Sequence, residues 1–172
     1  MKAVLKTTAV FFAAMSIACV SYAQSSKKSR KESPKKVDVQ NLEKDSLILY
    51  TWNIGYAGLD KKSDFFYDGG KMVRPPEDRV QASMKGILGE INSWNDADVI
   101  FLQEVDVHSK RSYYIPEKQT LIEAQKDFPV SVFGLNYKVK YVPKPYLEPM
   151  GAVESGILMF SKYWLKIGEV LP

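Results

Sequence analysis

Thiol and imidazole are nearly missing from this chain, which has one cysteine, Cys19, and one histidine, His108, in 172 residues. Cys19 lies in "MKAVLKTTAVFFAAMSIACVSYAQ", where Lys2 and Lys6 give a positive start, Ala9 to Val20 an apolar stretch and Ser21-Tyr22-Ala23 a small-x-small cleavage pattern. That is the layout of a secretory signal peptide over residues 1–23, and cutting after Ala23 removes the cysteine. The mature chain can then form neither a disulfide nor a thiolate metal site, so a bound metal must have oxygen or nitrogen ligands. No later stretch is long and apolar enough to span a bilayer, which predicts an exported, soluble protein, periplasmic or extracellular. A second reading stands beside this one. Ser16-Ile17-Ala18-Cys19 has the order of a bacterial lipoprotein cleavage box, with Ser16 where a large aliphatic residue is usual, and would place a lipid on Cys19.

A strong charge of one sign is also missing from the part that folds. The formal net charge is +4, but the leader holds two lysines, and Gln24 to Asp45, "QSSKKSRKESPKKVDVQNLEKD", carries seven basic against four acidic residues. From Ser46 onward fifteen basic residues face sixteen acidic ones. A near-neutral domain argues against tight nonspecific nucleic-acid binding, which draws on many Lys/Arg contacts to phosphates. Residues 24–45, rich in Ser, Lys and Pro, cannot bury enough apolar surface to order themselves and read as a flexible basic linker. Its role is either a solvated spacer or attachment to an acidic envelope or polyanion.

The folded region, 46–172, begins with "DSLILYTWNIG", a core strand that stops at a glycine with Asn53 as its last polar residue. A long loop, Tyr56 to Pro76, follows, holding the aromatic run Phe65-Phe66-Tyr67 beside Gly69-Gly70. Such length marks a functional loop, either a lid over substrate or packing on the core. Val80, Met84, Ile87, Leu88 and Ile91 then recur at helical spacing, with Glu77 and Asp78 at the positive end of the helix dipole. "DVIFLQEVD", Asp98 to Asp106, has the Val/Ile content of a strand buried on both faces and ends in Gln103 and Glu104. Strand, helix, strand in this order predicts a right-handed crossover onto a parallel pair. Asn53 and Glu104 then emerge together at the carboxyl edge of the sheet, where open α/β folds build ligand sites. Downstream, a second helix is predicted over Glu117 to Phe128, and strands over "VSVFG", "YKVKYVP", "SGILMFSK" and the final "YWLKIGEVLP". No internal repeat is present.

A carboxylate and an amide without thiols suit a hard divalent cation such as magnesium, which keeps several waters and binds phosphate oxygens. The alternative is a solvent-exposed strand-end Glu and a turn-making Asn.

"YTWNIG", then "DVIFLQEVD", then "GAVESGILMFSK" resembles the endonuclease/exonuclease/phosphatase superfamily, magnesium-dependent phosphoesterases related to DNase I. The resemblance spans Leu47 to about Lys162. It implies an α/β sandwich of two packed mixed sheets flanked by helices, with Mg2+, or Mn2+ as a substitute, as cofactor. It implies that Glu104 is the metal-binding glutamate and that Asn53 lies beside metal and scissile phosphate as a catalytic and metal-site residue. Gly151 to Lys162 matches a block that supports the site from the opposite sheet. The family further requires an Asp-x-Asn block and a terminal Asp-His pair, and neither occurs here. A complete domain of this kind runs to about 250 residues, so the expectation is the amino-terminal part of such a domain, incomplete at its carboxyl end. The implied activity is hydrolysis of a phosphodiester or phosphomonoester of unstated class. The alternative is a non-catalytic phosphate-binding remnant or a half-domain completed by a partner.

Residues near Glu104 fall to either reading. His108 is a surface-loop residue or sits at a substrate rim. Arg111 steers a phosphate or, beside Lys110, is simply solvated. Asp106 supports the metal from behind or makes a turn. Asn136, with Tyr137, falls where this family points polar side chains into its cleft.

Overall fold

A computed structural model describes residues 45–163. The expected signal peptide, nearly all of the basic linker and the last expected strand beyond Tyr163 lie outside the described residues. The described chain is a mixed α/β fold with one four-stranded sheet and two helices. Strand β1 (Leu49–Asn53) pairs in parallel with β2 (Val99–Asp106), Leu49 opposite Val99 through Asn53 opposite Gln103. Helix α1 (Glu77–Asn92) makes the crossover between them, helix α2 (Glu117–Ala124) follows β2, and β3 (Val130–Val142) and β4 (Gly151–Ser161) complete the order β1-β2-β4-β3. Strand β4 runs antiparallel to both of its neighbours.

The alternation of side chains along each strand splits the sheet into two unlike faces. Tyr50, Ile100, Leu102, Leu158 and Phe160 face the helices and join Val80, Met84, Ile87, Ile91 and Leu121 in one core. Each such fully buried aliphatic side chain contributes about 1.5–3 kcal/mol of transfer free energy. Glu77 and Asp78 sit in the first turn of α1, where the dipole favours them. Beyond its other end Trp94 stacks on Tyr50 with ring centroids 4.7 Å apart. The other face holds Thr51, Phe101, Met159 and Val132 in one row across the four strands, and Val132 is 46% exposed.

Three expectations change. Gly151 to Lys162 does not support the site from an opposite sheet, because β4 hydrogen-bonds directly to β2 in the same one. "VSVFG" and "YKVKYVP" are a single strand rather than two, and the break read at "LN" is a register shift at Asn136. Helix α2 stops at Ala124, four residues before Phe128, where Gln125 leaves helical geometry and its Nε2 donates to Asn92 Oδ1 at 2.6 Å.

Candidate functional site

Asn53 and Glu104 meet as the crossover requires. Asn53 Nδ2 donates to Glu104 Oε1 at 2.8 Å, while Asn53 Oδ1 accepts the Gly55 backbone N–H at 2.9 Å. The amide is thereby clamped between its own turn and the neighbouring strand, and it holds the Glu104 carboxylate in one orientation. Glu104 Oε2 makes no hydrogen bond among the described residues and is the oxygen left for a ligand.

The placement of Glu104 depends on two bulges that flank one glycine. Between the pairs Leu102–Leu158 and Val105–Gly156, Gln103 and Glu104 stand against Ile157 alone. On the other side of β4, Asn136 is the extra residue between Leu135–Gly156 and Tyr137–Ser155. Bulges re-aim side chains and sharpen strand twist, which is why they recur beside sites. At Gly156 a Cβ would overlap the Gly134 carbonyl oxygen and the Phe133 ring, so only glycine lets β3 and β4 approach this closely. Glu104 takes φ +55°, a left-handed conformation that costs a non-glycine residue about 1–3 kcal/mol. Tyr56, Ala57, Tyr113 and Tyr114 are the other non-glycine residues with positive φ among the described ones; the first two lie in the turn that packs on β2, and the last two follow the Lys110–Ser112 turn, which packs on that turn and on β4. Strain is therefore concentrated at one edge of the sheet.

Behind Glu104 lies a buried ionic network. Asp106, fully buried at the end of β2, accepts from Arg111 Nε at 3.1 Å, Arg111 Nη2 at 2.9 Å and Ser112 Oγ at 2.9 Å. Arg111 Nη2 also donates to Ser155 Oγ at 3.2 Å, and the guanidinium lies 3.7 Å from the centroid of the Tyr56 ring. With its side chain only 12% exposed, Arg111 is not the solvated surface cation of the blander reading. Likewise Asp106 makes no simple turn; it anchors Arg111. Glu117, also fully buried, accepts the Asp106 backbone N–H through Oε2 at 2.9 Å, while its Oε1 has no partner among the described residues. Burial first, and the neighbouring Asp106 charge second, push the Glu117 carboxyl well above its ordinary range. Burial also raises the Tyr56 phenol, against the pull of Arg111, and its buried hydroxyl is unpartnered among the described residues.

A cavity of about 340 Å³ opens here, with Glu104, Arg111, Asn136 and Ser155 in its wall beside Tyr56, Phe65 and Asp68. Of the expected site residues the structure joins Glu104, Arg111 and Asn136, with Asn53 bonded to the first. His108 stays apart: it is exposed and stacks on Tyr114, ring centroids 4.6 Å apart, outside the cavity wall. The aromatic run divides between the two roles weighed for it. Phe65 and Phe66 pack against a small core of Val73, Met150 and Val153, while Phe65 also lines the cavity.

Four lining residues, Tyr56, Leu59, Asp68 and Ser155, escaped sequence reading. Ser155 had a signal, a hydroxyl directly before a mid-strand glycine, and Tyr56 follows the glycine two residues past the end of β1. Asp68 had none.

Magnesium is compatible with this wall in a limited way. Among the described residues no group of three or more His, Cys, Asp or Glu converges as a metal cage. The carboxylates in this wall that could hold a hard cation are Glu104, through Oε2, and Asp68, with water and phosphate oxygens completing the shell as is usual for magnesium. Among the described residues, no helix is long and apolar enough to cross a membrane. No family model matches the chain, and neither the curated proteins nor the solved structures yield a match.

Proposed function

We propose that this chain carries the amino-terminal part of an endonuclease/exonuclease/phosphatase domain, of the DNase I-like sandwich type, and takes part in metal-dependent hydrolysis of a phosphoester. The observation that carries the reading is Glu104 itself, a strained bulge residue at the carboxyl edge of a parallel pair, fixed by Asn53 and facing a cavity shared with Arg111. A carboxylate held in that conformation at an energetic cost is hard to explain as a tolerated surface residue.

Glu104 Oε2 would hold magnesium, with manganese as a substitute. When bound, the ion polarises a phosphate oxygen and offsets the charge that develops during in-line attack by water. Asn53 keeps the carboxylate from rotating away. The aromatic walls, Tyr56 and Phe65, exclude part of the solvent around the reacting group. The leader and basic linker suit an exported protein that works near an acidic envelope. Deleting Ser25 to Lys44 should then release it from anionic membranes at low salt, and unchanged retention would end that part of the proposal.

The direct test is turnover of bis(4-nitrophenyl) phosphate and 4-nitrophenyl phosphate by the full chain with magnesium. Release of nitrophenolate should vanish with chelation and in Glu104→Ala. Turnover equal to wild type in that variant would overturn the reading. The built position of Arg111 favours one alternative, a phosphate-binding module without catalysis, which predicts binding with no turnover in the same assay.

A further inference from the structure

We infer that Arg111 is a preformed receptor for a tetrahedral oxyanion, the phosphoryl group of the ligand, and that it works without metal. The inference takes the ligand's chemical class from the proposed phosphoester chemistry, but the receptor's existence rests on its own geometry.

A guanidinium has five N–H donors. In Arg111 three are used: Nε–H and one Nη2–H on Asp106, the other Nη2–H on Ser155 Oγ. Both protons of Nη1 remain without an acceptor among the described residues, and Nη1 is not among the buried unsatisfied atoms, so it keeps access to solvent in a residue that lines the cavity. The group cannot swing to find another partner. Asp106 grips one edge, the Tyr56 ring supports one face at 3.7 Å, and Ser155 fixes the corner nearest β4. Arginine normally loses side-chain entropy when it binds an anion, and here that loss has occurred before any ligand arrives.

An ion pair with Asp106 alone would need neither Ser155 nor the ring, nor a place in the wall of the cavity. Ser155 reaches Arg111 because β4 sets it directly opposite Asp106 of β2, the residue that grips the guanidinium. The bulge that re-aims Glu104 is followed at once by the Val105–Gly156 and Asp106–Ser155 pairs, so one stretch of the β2–β4 ladder sets both the carboxylate and the Arg111 holder. Glu104 and Arg111 lie in one wall, a carboxylate and a guanidinium offered to a single ligand.

This arrangement predicts an unusual sign. Without metal the Glu104 charge opposes an anion at Arg111, so removing that charge should help binding while removing the fork should hurt it. Binding of inorganic phosphate to the full chain is measured by equilibrium dialysis in chelator, with acetate at matched ionic strength as the control anion. Wild type should bind phosphate in preference to acetate. Glu104→Gln should bind it equally or more tightly. Arg111→Lys, which keeps the charge but loses the planar fork, should bind at least about tenfold more weakly, and Ser155→Ala several-fold more weakly. Urea midpoints of all three variants show whether each is folded, and Ser155→Ala serves where Arg111→Lys is not.

Phosphate binding unchanged in both Arg111→Lys and Ser155→Ala, loss of binding in Glu104→Gln, or equal affinity for acetate would each overturn the inference. A failed inference leaves magnesium-dependent turnover through Glu104 standing. Failed turnover with intact metal-free phosphate binding sinks the hydrolase and keeps the receptor.

Discussion

Two cavities of nearly equal size lie at opposite ends of the sheet, about 340 Å³ beside Glu104 and about 330 Å³ beside Lys162. The second is walled by the ends of both helices, with Trp94 and Phe128 as its aromatic surfaces. Its cation and its amides are tied within the wall: Lys162 Nζ donates to the Asn95 carbonyl at 3.1 Å and sits over the Phe128 ring, and Gln125 donates to Asn92, while Asp127 lies exposed. No residue in its wall has positive φ. The first cavity has left-handed Glu104 and Tyr56 in its wall, a carboxylate oxygen without a partner and a guanidinium with two protons to spare. Volume does not separate the two. What separates them is where the fold tolerates strain and holds a carboxylate and a guanidinium in fixed orientations.

Several substitutions would break or sharpen that contrast. Glu104→Gln should lower magnesium-dependent turnover at least about 100-fold, whereas Lys162→Gln, at the quiet cavity, should leave turnover unchanged; both are read as initial rates on the same phosphodiester. Gly156→Ala should cost about 1–3 kcal/mol, the usual range for overpacking, through the overlap with Gly134 and Phe133. Gly89→Ala, on an exposed side of α1 with nothing within 4 Å, should instead stabilise by about 0.5–1 kcal/mol. Urea titrations of the pair test whether the cramped glycine is confined to the bulged edge.

The acid Glu117, beneath the strained cavity, gives a pH signature. Its carboxyl is raised in the folded state, so the folded chain holds a proton that the unfolded chain releases. Stability from this group is present below the ordinary glutamate range and falls as pH rises through it toward the elevated folded value. Glu117→Gln should therefore match wild type near pH 4 and have the higher urea midpoint at pH 8. Asp60 behaves oppositely and more weakly. Hydrogen bonding from Arg79 holds it at about 2, so its contribution is full above the ordinary aspartate range and is lost as pH falls toward 2. Asp60→Asn should show a smaller loss of melting temperature between pH 5 and pH 2 than wild type.

Much of the fold was legible because its signals are local. The helical spacing of Val80, Met84, Ile87 and Ile91 and the apolar runs of β1 and β2 specify the crossover, which brings Asn53 to the end of β2, where the bulge turns Glu104 toward it. Sequence could not show that Asn136 is a bulge rather than a break, since that depends on the register of β4. Nor could it show that Arg111 is captured. Capture needs Asp106, Ser155 and Tyr56 from three separate segments, and a lone arginine beside a lysine carries no trace of them. The side of the sheet taken by Gly151 to Lys162 was equally hidden, because strand pairing is a long-range choice that the block's own composition does not encode.

The most direct test of the central claim is a manganese titration of the full chain followed by water-proton relaxation, in wild type, Glu104→Gln and Lys162→Gln. One saturable site in wild type and Lys162→Gln, absent in Glu104→Gln, is the predicted result. Manganese binding in Glu104→Gln equal to wild type would contradict the assignment of Glu104 as the metal anchor.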